Sequence, residues 1–359
     1  MKYLFCALTL FGTLASGGTL FIGAYPDSIM VFDEAKGQVI DRIPLSTGLP
    51  MSMKLSDDKK RIYVTTNDHS GIEVIDVASR RVIQHFVLNT ATTRYRFNGG
   101  IADPDGHLFY TVITEIDKRL EHYEVGKPQY AVIDLAQQKI VKTVPVAPED
   151  ENANSGYGRG FEISPDGKYL YQFRDSVVIL STADFKVVDR IALSKPEFDG
   201  EMENVGFGTP LDSIGEPGQH ISLFNSSDPI VHNRIFGVAR FDLTTRKFNF
   251  TPIGPAPGGM AGLHVAPDKK TAYTVVTNGL HGNKRCEFWA FDLATNRRTE
   301  DAEFPCRSRF SFGMSENGKK LYIYGAGFEI EVYDAATLKH ERTWDLNNDV
   351  TGAGLISLP

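Results

Sequence analysis

The feature that most constrains the fold of this chain is a short strand-like segment that recurs seven times. Each copy is a run of mostly β-branched and aromatic residues that ends in Asp, or in Ser in the fourth copy. The seven end positions are Asp33, Asp76, Asp134, Ser181, Asp242, Asp292 and Asp334. They lie 42 to 61 residues apart, and no helical periodicity of useful length separates them. A period in this range predicts one supersecondary unit repeated along the chain.

Each unit carries three further strand signals around that segment. An opening strand of small and apolar residues leads into a tight turn, an aromatic-rich strand follows, and an alternating strand closes the unit. The turn is rich in Asp, Pro, Asn, Gly and Lys, among which are residues that preset φ, tolerate positive φ or bond to their own backbone. Five such turns are predicted, at residues 56–59, 103–106, 164–167, 266–269 and 315–318. Four short strands at this period are typical of the blades of a β-propeller.

The two ends of the repeat predict how the ring is closed. The first unit lacks an opening strand, because it starts directly at Thr19, whereas residues 353–358 form a surplus segment after the last unit. That surplus is similar to the opening strands at 160–164 and 261–265. The sequence therefore predicts an all-β fold, a seven-bladed β-propeller of four-stranded antiparallel blades. Its C-terminal strand completes the first blade, and residues 18–359 form a single domain.

Residues 1–17 have the layout of a secretory signal peptide. Lys2 supplies a positive charge, residues 4–14 are apolar, and Ala15, Ser16 and Gly17 supply the small residues for cleavage after Gly17. The apolar run is too short to span a bilayer. We therefore expect a periplasmic or secreted protein without a membrane span. The alternative interpretation of this segment is a buried N-terminal strand or helix.

Charge and motif content exclude several function classes. The chain has 38 Lys and Arg against 45 Asp and Glu, a net charge of −7, without the basic stripe that phosphate backbones require. Cys-x-x-Cys-His, Gly-x-Ser-x-Gly, a Gly-rich phosphate loop and His-Glu-x-x-His are absent. The sequence thus predicts no nucleic-acid partner and assigns no catalytic, cofactor-binding or metal-binding residue.

Two other functions stay open at this stage. A propeller hydrolase, lactonase-like or lyase-like, would act at the central channel, which His264, Glu162 and Glu203 are placed to approach. A metal there needs three or four carboxylate, His or Asn ligands, whereas the opening strands offer mostly Met and Gly. A surface ligand-binding module is supported by Trp344, which lies on the outermost strand of the last blade and is expected to be exposed.

Cys286 and Cys306 are predicted to form a disulfide. They flank a hairpin whose turn is predicted at Thr295 and Asn296, so they lie nearly opposite each other on adjacent strands. An oxidising compartment would then join them across a loop of about twenty residues. The alternative is two free thiols in a cytosolic chain. Cys6 lies in the signal segment and would leave with it.

Loop length points to one face of the ring. In a propeller, the connections from second to third strand and from fourth to first strand lie on the same face. Nearly all insertions fall in these connections, in blades 2 to 6, at residues 89–98, 115–128, 148–158, 194–206, 225–234 and 278–285. Long loops in a tight repeat are usually binding segments, so this long-loop face is predicted to bind a partner, with neutral drift as the alternative.

Particular segments also resemble known families. Residues 61–86, with Tyr-Val-Thr-Thr-Asn at 63–67 and Gly-Ile-Glu-Val-Ile-Asp at 71–76, resemble the YVTN-type propeller repeat of exported bacterial proteins. From residue 18 onward, the chain resembles the β subunit of quinohaemoprotein amine dehydrogenase, a periplasmic seven-bladed propeller. The most specific match is Arg-Leu-Glu-His-Tyr-Glu-Val at 119–125, and Val-Tyr-Asp-Ala-Ala-Thr-Leu at 332–338 also fits.

This resemblance implies a non-catalytic scaffold that binds protein partners. In that enzyme haem c is carried by one subunit and a tryptophylquinone by a small cross-linked subunit, while the propeller holds both. The implied partners are therefore haem-bearing and quinone-bearing subunits, and this chain itself would bind no cofactor. The residues predicted to contact the partners are Arg119, Glu121, His122, Tyr123 and Glu124. A stand-alone relative with a different partner is the alternative.

Overall fold

The computed structural model describes residues 17–359 apart from 68–69, 98, 152–160, 174–175, 194–202, 208–217, 228–233, 258, 280–282, 296, 308 and 326. Only the backbone is described for residues 203–207. The predicted signal peptide, apart from Gly17, and the side chain of Glu203 therefore lie outside the described residues. The same holds for much of the predicted loops 148–158, 194–206 and 225–234 and for part of 278–285.

Thirty strands of the described residues form seven antiparallel sheets, and each sheet is one blade. Blade 1 contains β1 (Thr19–Ala24), β2 (Ser28–Asp33), β3 (Gln38–Pro44) and the last strand, β30 (Val350–Leu358); blade 2 contains β4 (Pro50–Leu55), β5 (Arg61–Thr66), β6 (Gly71–Asp76) and β7 (Arg81–Val87). Blade 3 contains β8 (Thr93–Arg96), β9 (Ile101–Ala102), β10 (Leu108–Lys118), β11 (Tyr123–Asp134) and β12 (Lys139–Pro145); blade 4 contains β13 (Glu162–Ile163), β14 (Tyr169–Phe173), β15 (Ser176–Ser181) and β16 (Val187–Ala192).

The remaining three blades follow in chain order. Blade 5 contains β17 (Glu203–Phe207), β18 (Gln219–Ser227), β19 (Arg234–Asp242) and β20 (Phe248–Pro255). Blade 6 contains β21 (Gly259–Met260), β22 (His264–Val265), β23 (Thr271–Asn278), β24 (Arg285–Asp292) and β25 (Arg297–Phe304); blade 7 contains β26 (Ser311–Met314), β27 (Lys320–Tyr324), β28 (Glu329–Asp334) and β29 (His340–Asp345). The innermost strand of blades 3 and 6 is split in two, so these sheets keep the four-stranded plan. The described part of the link between blades 3 and 4 contains a 3₁₀ turn, Pro148–Asp150.

The predicted seven-bladed propeller is thus confirmed, and the recurring Asp has a local physical cause. Each predicted end position is the last residue of the third strand of its blade, from Asp33 in β2 to Asp334 in β28. The Asp carboxylate accepts a hydrogen bond from the backbone N–H three residues later, as Asp76 does from Ser79 (2.7 Å) and Asp242 from Thr245 (2.6 Å). This bond fixes the turn into the outermost strand, which explains why the residue recurs.

The first-to-second strand turns are also where the sequence predicts them. In each of the five, the fourth residue donates its N–H to the carbonyl of the first, as Gly106 does to Asp103 (2.9 Å) and Lys269 to Ala266 (2.8 Å). That fourth residue has a positive φ, +71° at Gly106 and +56° at Lys269. These tight turns keep the connections on this face of the ring short in blades 2, 3, 4, 6 and 7.

The core is divided among the junctions between neighbouring blades. A cluster of buried apolar side chains fills each junction around the ring. Trp344 belongs to the junction of blades 7 and 1, where it contacts Phe32 (ring centroids 4.8 Å apart) and Tyr322. It is only 7% exposed, so the expectation of an exposed Trp344 is wrong. The first blade covers the side chain, and the sequence of the last blade alone gives no sign of this contact.

Closure of the ring by the C-terminal strand is confirmed. β30 pairs with β1 in antiparallel register, with Thr19 opposite Leu358 and Phe21 opposite Ile356. Ile356 and Leu358 are buried in the junction between blades 1 and 2. Blade 1 therefore combines the first and the last described strands. The described part of the chain contains no helix long and apolar enough to cross a bilayer.

The predicted disulfide between Cys286 and Cys306 is present, with Cα atoms 5.1 Å apart. Its place on the sheet differs from the prediction, because Cys286 lies opposite Phe304 and Cys306 follows the end of β25. The hairpin turn begins earlier than expected, with Asp292 paired with Arg297, so the register is displaced by two residues at the cysteines. The disulfide links the outer hairpin of blade 6 to the segment that leads into blade 7.

Candidate functional site

A β-hairpin projects from blade 3 on the long-loop face, where the sequence suggested an irregular loop at 115–128. β10 and β11 are eleven and twelve residues long, about twice the length of β14 or β27. Their outer halves pair from Thr114 opposite Pro128 to Lys118 opposite Tyr123. We call this projection, residues 114–128, the blade-3 arm. At about 3.3 Å per residue its outer half extends roughly 15 Å beyond the blade.

The arm is supported from the side by the segment that precedes it. β8 pairs with β10, with Thr93 opposite Asp117 and Arg96 opposite Thr114. The predicted loop at 89–98 is therefore in part a third strand of the arm. Tyr95 packs against the buried cluster between blades 2 and 3, and this contact anchors the strand to the ring. Three paired strands make the arm a preformed element rather than a loose loop.

The turn at the tip is held by charged side chains. Arg119 donates from Nε and Nη2 to Glu124 Oε2, at 2.9 and 2.7 Å, and its Nη2 lies 3.3 Å from Asp117 Oδ2. The backbone N–H of Arg119 also donates to His122 O at 2.9 Å. Arg119 and Glu124, two of the predicted partner-binding residues, therefore pair with each other and shape the tip. Glu121, His122 and Tyr123 are exposed on it.

The tip also exposes apolar side chains that the sequence prediction did not single out. Leu120 is 100% exposed, and Val125 is 65% exposed beside Tyr123 at 60%. Most other exposed large apolar side chains of the described residues are scattered over outermost strands, such as Ile83 on β7 and Val188 on β16. Exposed apolar residues on a preformed projection make the tip a candidate interaction site. The sequence signal that could have revealed this feature is Leu120, an apolar residue between the charged Arg119 and Glu121 in a segment predicted to be a loop.

A second feature, the central channel, contains a cavity of about 520 Å³ that is lined by all seven blades. Its walls include Ile101, Ile163, Leu263, Phe312 and Leu355 from the inner strands, and it extends to the short turns near Asp57, Asp103 and Pro267. The cavity thus reaches the face opposite the blade-3 arm.

A charged pair joins two blades in the channel wall. Lys54 Nζ on β4 donates to Glu162 Oε1 and Oε2 on β13, at 3.3 and 3.4 Å, and both side chains are partly buried. Burial by itself would raise the pKa of Glu162, but the Lys54 ammonium and the His220 ring outweigh it and lower that pKa to about 2. Glu162 is therefore ionised throughout the physiological range.

His220 completes this group from blade 5. Its Nδ1 lies 3.7 Å from Glu162 Oε1, and its ring stacks on Phe173 with centroids 3.6 Å apart. The side chain is 6% exposed, and among the described residues its Nε2 has no hydrogen-bond partner. Lys54 and His220 were both missed by sequence reasoning, because they come from blades far apart in the chain and share no local spacing.

Two of the residues proposed for a channel hydrolase line the cavity, but each of them has another contact that competes with metal binding. Glu162 and His264 do line the cavity, but Glu162 is paired with Lys54, and His264 Nε2 is within hydrogen-bond distance of Phe312 O (3.2 Å). Within the described ranges, the group of three potential metal ligands that lies within 4.8 Å is Asp103, Asp105 and His107, on a largely exposed turn. That turn uses Asp103 to accept backbone hydrogen bonds from His107 and Leu108.

The Lys54–Glu162 pair predicts a pH-dependent effect of Lys54→Met. The ionised Glu162 contributes stability fully above its unfolded pKa near 4.5, and this contribution is lost as pH falls toward 2. Removing Lys54 leaves a partly buried carboxylate unpaired, so we expect a loss of about 2 kcal/mol at pH 7 after allowing for partial exposure. Urea unfolding at pH 7 and pH 3 should show this loss shrinking at the lower pH.

Lys59→Met is the matched control, since Lys59 forms a more exposed pair with Glu316 at 3.7 Å. It should change the free energy of unfolding by less than about 0.5 kcal/mol at either pH. An equal loss for Lys54→Met at pH 7 and pH 3 would contradict the assigned role of the ionised Glu162.

Comparisons with known proteins support the architecture. No family model and no curated protein matches the sequence. Among solved structures, the chain is similar to a functionally unknown protein from Desulfotomaculum acetoxidans DSM 771, with 13% identity, a TM-score of 0.55, and coverage of 96% of this chain and 99% of that one. It is also similar to the dihydro-heme d1 dehydrogenase NirN in complex with DHE, with 16% identity, a TM-score of 0.51, and coverage of 95% and 75%. The likeness is one of fold. At such identities the shared property is the β-propeller itself.

Proposed function

We propose that this protein is an exported, non-catalytic propeller scaffold that binds a protein partner through the blade-3 arm and the long-loop face around it. The observation that carries the proposal is the rigid, projecting tip with Leu120, Tyr123 and Val125 exposed on it. A convex projection is the opposite of the concave pocket that a small substrate needs. It fits insertion into a groove of another protein.

The composition of the tip supports a protein partner. Leu120 and Tyr123 supply apolar contact area, and Glu121 and His122 supply a polar rim, the usual division of an interface into anchors and surroundings. The Arg119–Glu124 pair and the turn hydrogen bond hold the tip in place before binding. Less conformational entropy is then lost on association, which increases affinity.

The identity of the partner is proposed from the sequence resemblance. Residues 119–125, which carry the most specific resemblance to the β subunit of quinohaemoprotein amine dehydrogenase, form the tip of the arm and the start of β11. We therefore propose a haem c-bearing subunit and a tryptophylquinone-bearing subunit as partners, with no cofactor held by this chain. The proposed location is the periplasm or the cell exterior.

The double substitution Leu120→Ala with Tyr123→Ala should weaken partner binding. Loss of two exposed anchors is expected to lower the affinity about 100-fold while leaving the melting temperature unchanged, because neither side chain is part of the core. The partner would be captured from a periplasmic extract with the parent protein, identified by mass spectrometry and its haem absorption, and purified for calorimetric titration.

Ile83→Ala with Val188→Ala is the matched control, because these side chains are also exposed apolar residues on strands but lie on the outer edges of blades 2 and 4. Its affinity should equal that of the parent. Recovery of the parent protein only as a monomer would count against the scaffold role. Equal affinity of the two double variants for the partner would show that the arm does not take part in binding.

A further inference from the structure

The first described residues meet a carboxylate at the point where the ring closes. The backbone nitrogen of Gly18 donates to Glu34 Oε2 at 2.7 Å, and the N–H of Glu34 donates back to Gly18 O at 3.0 Å. Glu34 follows the last residue of β2, and its Oε1 accepts a hydrogen bond from Tyr322 of blade 7. The carboxylate therefore links the chain start, the first blade and the last blade.

Glu34 carries a charge that its surroundings do not balance. Burial raises the pKa of Glu34 above its ordinary value, against the hydrogen bonds from Tyr322 and Gly18, which lower it. Nearby Glu316 and Asp33 add further negative charge. None of the Lys, Arg and His side chains that form ion pairs among the described residues is paired with Glu34. A partly buried carboxylate in this position would be stabilised by a cation within hydrogen-bond distance.

The packing around Gly17 and Gly18 leaves no room for side chains. A Cβ on Gly18 would lie 2.7 Å from Leu358 O and 2.9 Å from Glu34 Oε2, and one on Gly17 would lie 2.4 Å from the nitrogen of Ala35. Small residues are also what a signal-peptide cleavage site requires. The same two glycines therefore satisfy the fold and fit the predicted cleavage position after Gly17.

We propose that processing at Gly17–Gly18 creates the missing cation, and that the new α-ammonium of Gly18 forms an ion pair with Glu34 at the ring seam. Water adds across the peptide bond, so that Gly17 leaves with a carboxylate and Gly18 keeps an ammonium group. Its nitrogen is already 2.7 Å from Glu34 Oε2. Gly18 is buried, so a charge at this nitrogen needs a counter-charge at that distance. This inference depends on the export part of the proposed function and not on partner binding.

The test compares two recombinant chains, 18–359 and 17–359, each released from a fusion by a protease that leaves the stated first residue. The second chain keeps the peptide N–H of Gly18 but moves the ammonium one residue away. At pH 7.5 we expect the α-amine of 18–359 to react with an amine acylating reagent about tenfold more slowly than that of 17–359, because the ion pair with Glu34 raises the pKa of the ammonium and keeps the nitrogen in its protonated, unreactive form. Peptide mass spectrometry measures this rate at the N-terminus alone.

Stability gives a second readout. The 18–359 chain should melt about 3 °C above 17–359 at pH 7, and this gap should close as pH rises through the raised pKa of the ammonium, where the cation is lost. In Glu34→Gln the reactivity difference and the melting gap should both vanish. Glu316→Gln, a control that removes a nearby carboxylate, should keep both.

Three results would overturn the proposal. They are equal acylation rates for 18–359 and 17–359, a melting gap that persists in Glu34→Gln, and an intact mass of the exported protein that shows a first residue other than Gly18. Loss of partner capture by the arm variants would bear only on the scaffold role. The two proposals therefore fail independently.

Discussion

A chain that ends at Asp349 should not fold into the ring. The truncation removes β30, which supplies the innermost strand of blade 1 and buries Ile356 and Leu358 against blade 2. β1 would be left with an unpaired edge beside the channel, and the junction with blade 2 would lose part of its core. Burial of Val350, Ile356 and Leu358 alone is worth about 5 kcal/mol, comparable to the whole stability of many domains. We expect insoluble protein, or soluble protein without near-ultraviolet circular dichroism.

The matched control is a chain that lacks only Pro359, which is exposed and lies outside β30. It should unfold at the same urea concentration as the parent. A synthetic peptide of residues 350–359 offers a further check, because it should restore the near-ultraviolet signal when added during refolding of the truncated chain. A truncated chain that unfolds cooperatively at the parental midpoint would show that the ring does not depend on its last strand.

Loss of the disulfide should have the next largest effect. The bond between Cys286 and Cys306 closes a loop of 20 residues, and restricting the unfolded chain in this way contributes about 3 kcal/mol. Cys286 is fully buried against Phe288 and Phe304, so replacing it by Ala also loosens the packing of blade 6. The double variant Cys286→Ala with Cys306→Ala should therefore lose at least about 3 kcal/mol in the free energy of urea unfolding.

Reduction separates the two contributions to that loss. Dithiothreitol should lower the stability of the parent protein by the cross-link contribution, because the side chains themselves remain. The double variant should be insensitive to the same reagent. If dithiothreitol left the parent unchanged while the variant was destabilised, packing rather than the cross-link would be the cause.

The fold was predictable because its signals are local. Asp76 fixes the turn that follows its own strand, and Gly106 provides the positive φ of its own turn. Each blade is therefore recognisable from a few neighbouring residues. Ring closure was predictable because the first unit lacks an opening strand and a surplus strand follows the last unit. The burial of Trp344, by contrast, depends on Phe32, some three hundred residues earlier in the chain, and no local pattern indicates such a contact.

The candidate sites were predictable only in part, for two different reasons. The segment at 119–125 was found by resemblance, but Glu115, Asp117 and Lys118 made the preceding stretch look like a polar loop, although it pairs as a strand. In the channel, Lys54 and His220 meet Glu162 only after the ring has formed. Sites assembled from different blades depend on closure, which a sequence period predicts without giving the side-chain geometry.

The antiparallel register of blade 1 also determines how the ring would respond to mechanical load. Thr19 lies opposite Leu358, so both chain ends leave the β1–β30 pair at the same end. A force that separates the two ends would act on the hydrogen bonds one after another, starting at Thr19, instead of loading the whole ladder at once. Tension between anchored termini would therefore unzip the closing strand before it strained the other six blades.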